Sequence, residues 1–239
     1  MVAEWISSHD AGKRSGLWTG KGKIMLTVKE AIQQRRSIRK FLDKPVSDEI
    51  VSELLEAVRL APSASNRQPW RFIVVTDPKE RAQLRRICWD QAFIEQAPVV
   101  FVCCADLTSY AQPSRLKRSQ EFIDYGVTET LSGLFADPEF RAALLKMPDP
   151  DLGIFLAAAV ANAYIAIEHM VLTATSLGLG SCWVGALGDE GEINAMFGLP
   201  KTTVVVAVLP VGYPAVTPPP RPRILFSEIL LRPIETRVK

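Results

Sequence analysis

The chain has 239 residues, 48% of them hydrophobic and 23% charged, a globular composition that excludes intrinsic disorder and collagen-like repeats. A chain of this length buries roughly 70–75% of the surface it exposes when unfolded, so it needs neither a disulfide nor a metal to hold a core. The net charge of +2 is local: Lys13, Arg14, Lys21 and Lys23 against Glu4 and Asp10 account for it, and the remaining 24 basic and 24 acidic residues balance. A neutral body argues against a general nucleic-acid or anionic-membrane binder, because such proteins present a basic face.

Residues 1–24 mix glycines with these basic residues and with Trp5 and Trp18, follow no helical or strand period, and read as a flexible basic arm. Residues 25–239 read as one domain. Met25 is followed by Thr27-Val28-Lys29-Glu30, a capping-box pattern that opens a helix over 28–36. Two readings stay open: translation beginning at Met25, or a native extension that packs on a partner subunit.

A loop leads to Ser47 or Asp48, which cap a helix ending near Ala61-Pro62, with Ile50, Val51, Leu54, Leu55 and Val58 at helical spacing. Pro62 to Pro69 is a turn-rich loop, and Arg71 to Thr76 a strand rich in β-branched residues. A helix over 79–88 and a second strand, Val99 to Ala105, follow. Both strands are too apolar to face solvent, and adjacent Cys103 and Cys104 would point to opposite faces.

Residues 107–150, polar and broken by prolines, read as an insertion of one or two helices. The apolar stretch Leu152 to Ile167 has 16 residues, short of the roughly 20 needed to span a bilayer, so it opens a buried helix over about 152–177. Its alanines 158, 159, 161, 163 and 166 would let another helix approach closely, in the core or at a dimer interface. Ser181 to Gly185 is a short extended segment, Gly191 to Phe197 a short helix and Thr203 to Leu209 a third clear strand. The proline-rich tail from Pro210 runs extended and is excluded from a central sheet. Strands without a repeating βαβ rhythm favour an α+β fold.

Cysteines 88, 103, 104 and 182 lack C-x-x-C spacing, and only His9 and His169 could join them, so no metal site is expected. Four unpaired thiols suit a reducing cytoplasm. His169 reads as a structural histidine on an apolar helix, and no Ser/His/Asp triad is visible.

Chemistry concentrates in three places. Arg35, Arg36 and Arg39 around Ser37 match phosphate oxygens, or form a solvated basic face; Arg221 and Arg223 offer a second basic pair on a proline-stiffened segment, for phosphate or for salt bridges. Ser63, Ser65, Asn66 and Gln68 stand between a buried helix and a buried strand, where amides can satisfy a heterocycle edge; turn chemistry accounts equally for the serines and Asn66. Gly178 to Gly185 offers backbone N–H groups to a flat ligand at close approach.

Together the motifs Arg35-Arg36-Ser37-Ile38-Arg39, Pro62-Ser63-Ala64-Ser65-Asn66-Arg67-Gln68-Pro69-Trp70, Gly178-Leu-Gly-Ser-Cys-Trp-Val-Gly185 and Pro210-Val-Gly-Tyr-Pro214 before Arg221-Pro-Arg223 resemble, in order, those of the FMN-dependent nitroreductase family. The resemblance covers about residues 26–106 and 152–225. It implies an α+β homodimer with a mostly antiparallel sheet flanked by helices, an extended tail wrapping the partner, and one FMN in each of two interface clefts. Arg35, Ser37 and Arg39, with Arg36 adjoining, would hold the phosphate and ribityl chain, completed by Arg223 and Arg221. The loop with Ser63, Ala64, Ser65, Asn66 and Gln68 would serve the isoalloxazine edge from the partner subunit, and backbone at Val184, Gly185 and Ala186 would face the reactive side of the ring. NADH or NADPH would reduce the flavin in a ping-pong cycle, with the chemistry on the flavin and no catalytic side chain. Nitroaromatics, quinones or similar acceptors follow; the alternatives are a specialised member performing reductive dehalogenation, enone reduction or flavin fragmentation, or a flavin-binding module without turnover. Phe122, Tyr125 and Phe135 of the insertion would stack over the acceptor as a lid, or form the insertion's own core.

Overall fold

A computed structural model describes residues 26–126, 137–146 and 151–231. The arm over 1–24 and Phe135 lie outside the described residues. Helix α1 (Val28–Gln34) opens with the expected capping box: Thr27 and Glu30 satisfy each other's backbone N–H groups. Helix α2 (Asp48–Arg59) has Ser47 at its N-cap, without a side-chain cap bond, and buries Val51, Leu54 and Val58.

Strand β1 (Trp70–Val75) follows, then helix α3 (Pro78–Ile87), capped by Asp77, and a short helix α4 (Ala92–Gln96) that the sequence reading passed over. Strand β2 (Val99–Asp106) is buried throughout. Helices α5 (Gln112–Asp124) and α6 (Pro138–Lys146) occupy the stretch read as an insertion. Helix α7 (Leu156–Ser176), strand β3 (Gly180–Ser181), helix α8 (Glu190–Phe197), strand β4 (Thr203–Gly212) and helix α9 (Phe226–Ile229) complete the order.

The four strands form one sheet in the order β1-β2-β4-β3, and every pair is antiparallel. Alternation along β2 divides the core in two. Phe101, Cys103 and Ala105 face α2 and α7, while Val100, Val102 and Cys104 face Leu84, Ile94 and Ile193 of α3, α4 and α8. Helices therefore cover both faces, and the two cysteines point to opposite sides as expected. A bulge between Cys103 and Cys104 pairs them with Ala207 and Val205, which leaves Val206 extra and turns it to the α7 side with Ala207.

Three expectations are corrected. Pro210 lies inside β4, opposite Val100, so the tail leaves the sheet only after Gly212; the proline's missing N–H is tolerated there while its carbonyl accepts from Cys182 N at 3.3 Å. Strand β1 is an edge strand among the described residues, with Arg71 exposed and Phe72, Ile73 and Val74 only half-buried. Helix α7 with its preceding turn spans 25 residues, Leu152–Ser176, which by length and composition is enough to cross a membrane. Its packing explains the apolarity instead: Ala159, Ala163, Ala166, Met170 and Ala174 are fully buried in the core.

Candidate functional site

The first part of the site forms where α1 stops. Arg35 leaves helical geometry (ψ 133°), and the chain runs alongside β3: Ser37 pairs with Ser181 in a parallel bridge, and Ile38 N donates to Ser181 O at 2.9 Å. Ile38 is buried among the α3 and α8 residues, which anchors the segment. Gly180 makes that possible, because a Cβ there would overlap Ile38 Cγ1 and stand 2.8 Å from its Cβ. Gly180 thus makes room for the Ile38 side chain, a role different from the ligand approach read from sequence for the glycine ends of this segment.

The three arginines have different surroundings. Arg36 Nη1 donates to Gln33 O and Arg35 O at 2.7 Å each, closing the carboxyl end of α1, and its Nε is buried without a partner. Arg35 Nε stands 3.9 Å from Glu168 on α7, and exposed Arg39 lies 5.9 Å from the Phe93 ring centroid. Burial pushes the Cys182 thiol pKa up, and Arg39 pulls it part of the way back. Half-buried Ser37 stands between them.

The glycine-ended segment divides its roles. Gly178 (φ 77°) ends α7 in the left-handed conformation. Val184 is buried and bridges Val208 of β4, which fixes the position of the exposed Gly185 and Ala186 beside it. A Cβ on Gly185 would meet nothing within 4 Å, so this backbone has an open flank. Two guanidiniums and a hydroxyl on the segment docked at β3, and an uncovered backbone edge farther along the chain at Gly185, are groups of the kind that bind a phosphorylated, flat ligand.

The second part is the loop after α2. Ser65, Asn66 and Gln68 have φ values of 49°, 51° and 48°, three non-glycine residues in the left-handed region within four positions. Such residues cost on the order of 1–3 kcal/mol each, and persist where surrounding bonds over-determine them. Here Ser63 Oγ accepts from Gln68 N at 2.9 Å and Ser63 O from Asn66 N at 2.9 Å. Asn66 and Gln68 are half-buried; Ala64 and Ser65 are exposed. From below, Asn162 Oδ1 accepts from Ala64 N at 3.0 Å. The next residue, Arg67, is half-buried, and burial together with Arg115 lowers its pKa.

Other sequence-predicted residues are not gathered with these. Arg221 and Arg223 sit on an exposed tail, where Arg223 Nη1 donates to the neighbouring Pro222 O at 3.3 Å. Phe122 is half-buried on α5, and Tyr125 at its end is 79% exposed. His169 is exposed, its Nδ1 2.9 Å from Ile165 O. Among the described residues no group of His, Cys, Asp or Glu could hold a metal ion. A groove of about 720 Å³ near Arg86, Trp89, Gly188, Asp189, Glu190 and Glu192 involves none of the predicted residues.

The family model described as "Nitroreductase family" matches residues 32–213. An NADH dehydrogenase of Thermus thermophilus is 35% identical over 208 residues, 87% of this chain and 96% of that protein. An FMN reductase [NAD(P)H] of Bacillus subtilis is 30% identical over 201 residues, 84% of this chain and 71% of that one. Among solved structures, an Exiguobacterium sibiricum protein in complex with FMN superposes with a TM-score of 0.73 at 21% identity, covering 87% of this chain and 98% of that chain.

Proposed function

Since this chain belongs to the nitroreductase family, we propose that it is an FMN-dependent oxidoreductase, which takes electrons from NADH or NADPH and passes them to nitroaromatics, quinones or similar small acceptors in a ping-pong cycle. The observation that carries the reading is the docking of residues 35–39 on β3 through Ile38 N and Ser181 O, which sets Arg35, Ser37 and Arg39 along the start of the segment that runs on to the open backbone of Gly185. FMN, when bound, supplies the two-electron carrier; the chain supplies its position and electrostatics.

Arg35 and Arg39 hold the phosphate as guanidinium forks, and the Ser37 hydroxyl donates beside them. Arg36 braces them, since its Nη1 is committed to the carbonyls of Gln33 and Arg35. Val184 fixes the backbone of Gly185 and Ala186 along one face of the ring. The amides of Asn66 and Gln68, with Ser63, Ala64 and Ser65, take its polar edge. Phe122 and Tyr125 of the insertion cover the acceptor. Residues 25–239 act as one FMN-binding domain, and 1–24 as an arm.

A second copy of the chain completes the site. Leu156, Tyr164 and Ile165 on α7, and Ile224, Leu225, Phe226 and Ile229 in the tail, are between 41% and 81% exposed, apolar surface that a homodimer would cover. The tail then carries Arg221 and Arg223 to the partner's phosphate. The buried, unpaired thiols suit the cytoplasm.

The test is an anaerobic absorbance titration of the purified protein. A yellow protein that NADH or NADPH bleaches and a nitroarene or quinone restores supports the proposal, and the double variant Asn66→Ala, Arg223→Ala should lose FMN on dialysis. A colourless protein that cannot be reconstituted with FMN refutes it.

A further inference from the structure

Asn162 is a buried polar residue within the apolar helix α7, 6% exposed, and every bond it makes is directional. Its Nδ2 donates to Ala158 O at 2.8 Å and to the Tyr110 hydroxyl at 3.0 Å, while its Oδ1 accepts from Ala64 N at 3.0 Å. The orientation of the amide is forced, because a backbone N–H can only donate and a backbone carbonyl can only accept. Tyr110 is itself buried and stacks on Phe155, with ring centroids 4.8 Å apart and planes 14° apart. One side chain thus ties α7 and the turn after β2 to the loop that presents Asn66.

That loop needs a tie. It holds Ser65, Asn66 and Gln68 in left-handed backbone, its bonds at Ser63 close it upon itself, and its far end is held to the sheet by Asp106 N, which donates to Pro69 O at 2.7 Å, and by Arg71 Nη1, which donates to Gln68 O at 3.0 Å. Asn162 fixes the near end, through Ala64, two residues before Asn66. We propose that Asn162 is a positioning residue of the flavin site, which acts on FMN through the loop and does not touch it; this rests on the site reading above.

The experiment measures FMN affinity, the reduction potential of bound FMN, and amide hydrogen exchange of the flavin-free dimer across residues 63–68. Asn162→Leu removes all three bonds at similar volume. Ala64→Pro keeps the Asn162 side chain and replaces the donated N–H by a ring carbon, which both deletes the bond and pushes the loop off Asn162 Oδ1, 3.0 Å from the nitrogen. Both variants should speed exchange over 63–68 at least tenfold, weaken FMN binding at least tenfold and lower its potential, with thermal midpoints that still report a folded protein. Adding Asn66→Ala to Asn162→Leu should cost little beyond the larger single effect, because both act through one side chain.

Unchanged FMN affinity and potential in Ala64→Pro, or single effects that multiply in the double variant, overturn the proposal while leaving the site reading intact. An Asn66→Ala protein that binds FMN as the parent does overturns both. If Asn162→Leu fails to fold, Ala64→Pro decides alone.

Discussion

Gly180→Ala tests the packing that builds the proposed phosphate side of the site. The added methyl would overlap Ile38 Cγ1 and lie 2.8 Å from Ile38 Cβ and 3.1 Å from its Cγ2. Ile38 cannot yield easily, since it is β-branched and 3% exposed, and its N–H holds Ser181 O at 2.9 Å. Overpacking of this kind costs about 1–3 kcal/mol. For a domain of this size each kcal/mol lowers the thermal midpoint by about 2–4 °C, so the fall is about 2–12 °C. The strain relaxes by moving residues 37–39 off β3, so FMN affinity falls as well. Ile38→Ala removes both γ carbons at a cost of about 2–5 kcal/mol by itself, but in combination with Gly180→Ala it relieves the two γ-carbon contacts and leaves only the 2.8 Å approach to the Cβ of residue 38. The double variant should therefore be more stable than the sum of singles by about 1–2 kcal/mol, measured by denaturant unfolding at one fixed protein concentration. Strict additivity, or a Gly180→Ala protein with unchanged midpoint and unchanged FMN affinity, refutes the reasoning.

Burial pushes the Cys104 thiol up to about 12 and the Cys88 thiol up to about 11, from an ordinary 9.0. Between pH 9 and those values the folded state keeps protons that the unfolded state releases, so stability falls as pH rises, by about 3 kcal/mol for Cys104 alone at pH 11. Denaturant midpoints at pH 8–11 should show the decline, less steep in Cys104→Ala; equal slopes in both proteins contradict it. Leu54→Ala removes a fully buried side chain from the α2–α7 core and should cost about 2–5 kcal/mol by the same assay. Gly188→Ala should destabilise by at least about 1 kcal/mol, since Gly188 has φ +67° and a Cβ there would strike Ile87 O. Asp90→Ala breaks a 2.7 Å pair with Arg85 at the surface and should cost under about 1 kcal/mol, a loss that high salt erases.

Much of the frame was legible because its signals are local. Thr27 and Glu30 announce α1 by chemistry confined to four residues, and Val99 to Ala105 is apolar enough to be read as a buried strand without knowing its neighbours. The edge position of β1 was not legible, because the same β-branched sequence serves a central or a flanking strand. Pro210 misled for a physical reason: a proline is excluded from a ladder only where its N–H is needed, and one strand's sequence does not reveal which groups its neighbours require. At the site, Arg36 reads as adjoining Arg35 and Arg39, yet it folds back on Gln33 O, a contact the residue order does not reveal. Asn162 left one trace, a polar residue inside an otherwise apolar run, but its partners Ala64 and Tyr110 lie far away in sequence.

The tail also bears on how the protein is made. The sheet ends at Gly212 and Tyr213 packs on the core just after it, while Ile224, Leu225, Phe226 and Leu231 farther on are between 62% and 102% exposed. In the proposed homodimer the core of each chain can therefore close before this segment meets the second copy. Refolding should separate into a first-order phase, independent of protein concentration, and a slower second-order phase that quickens on concentration. In the interval between them the monomer carries an uncovered apolar strap. Dilution lengthens that interval and with it the exposure to proteases, while the uncovered strap promotes aggregation as the concentration rises.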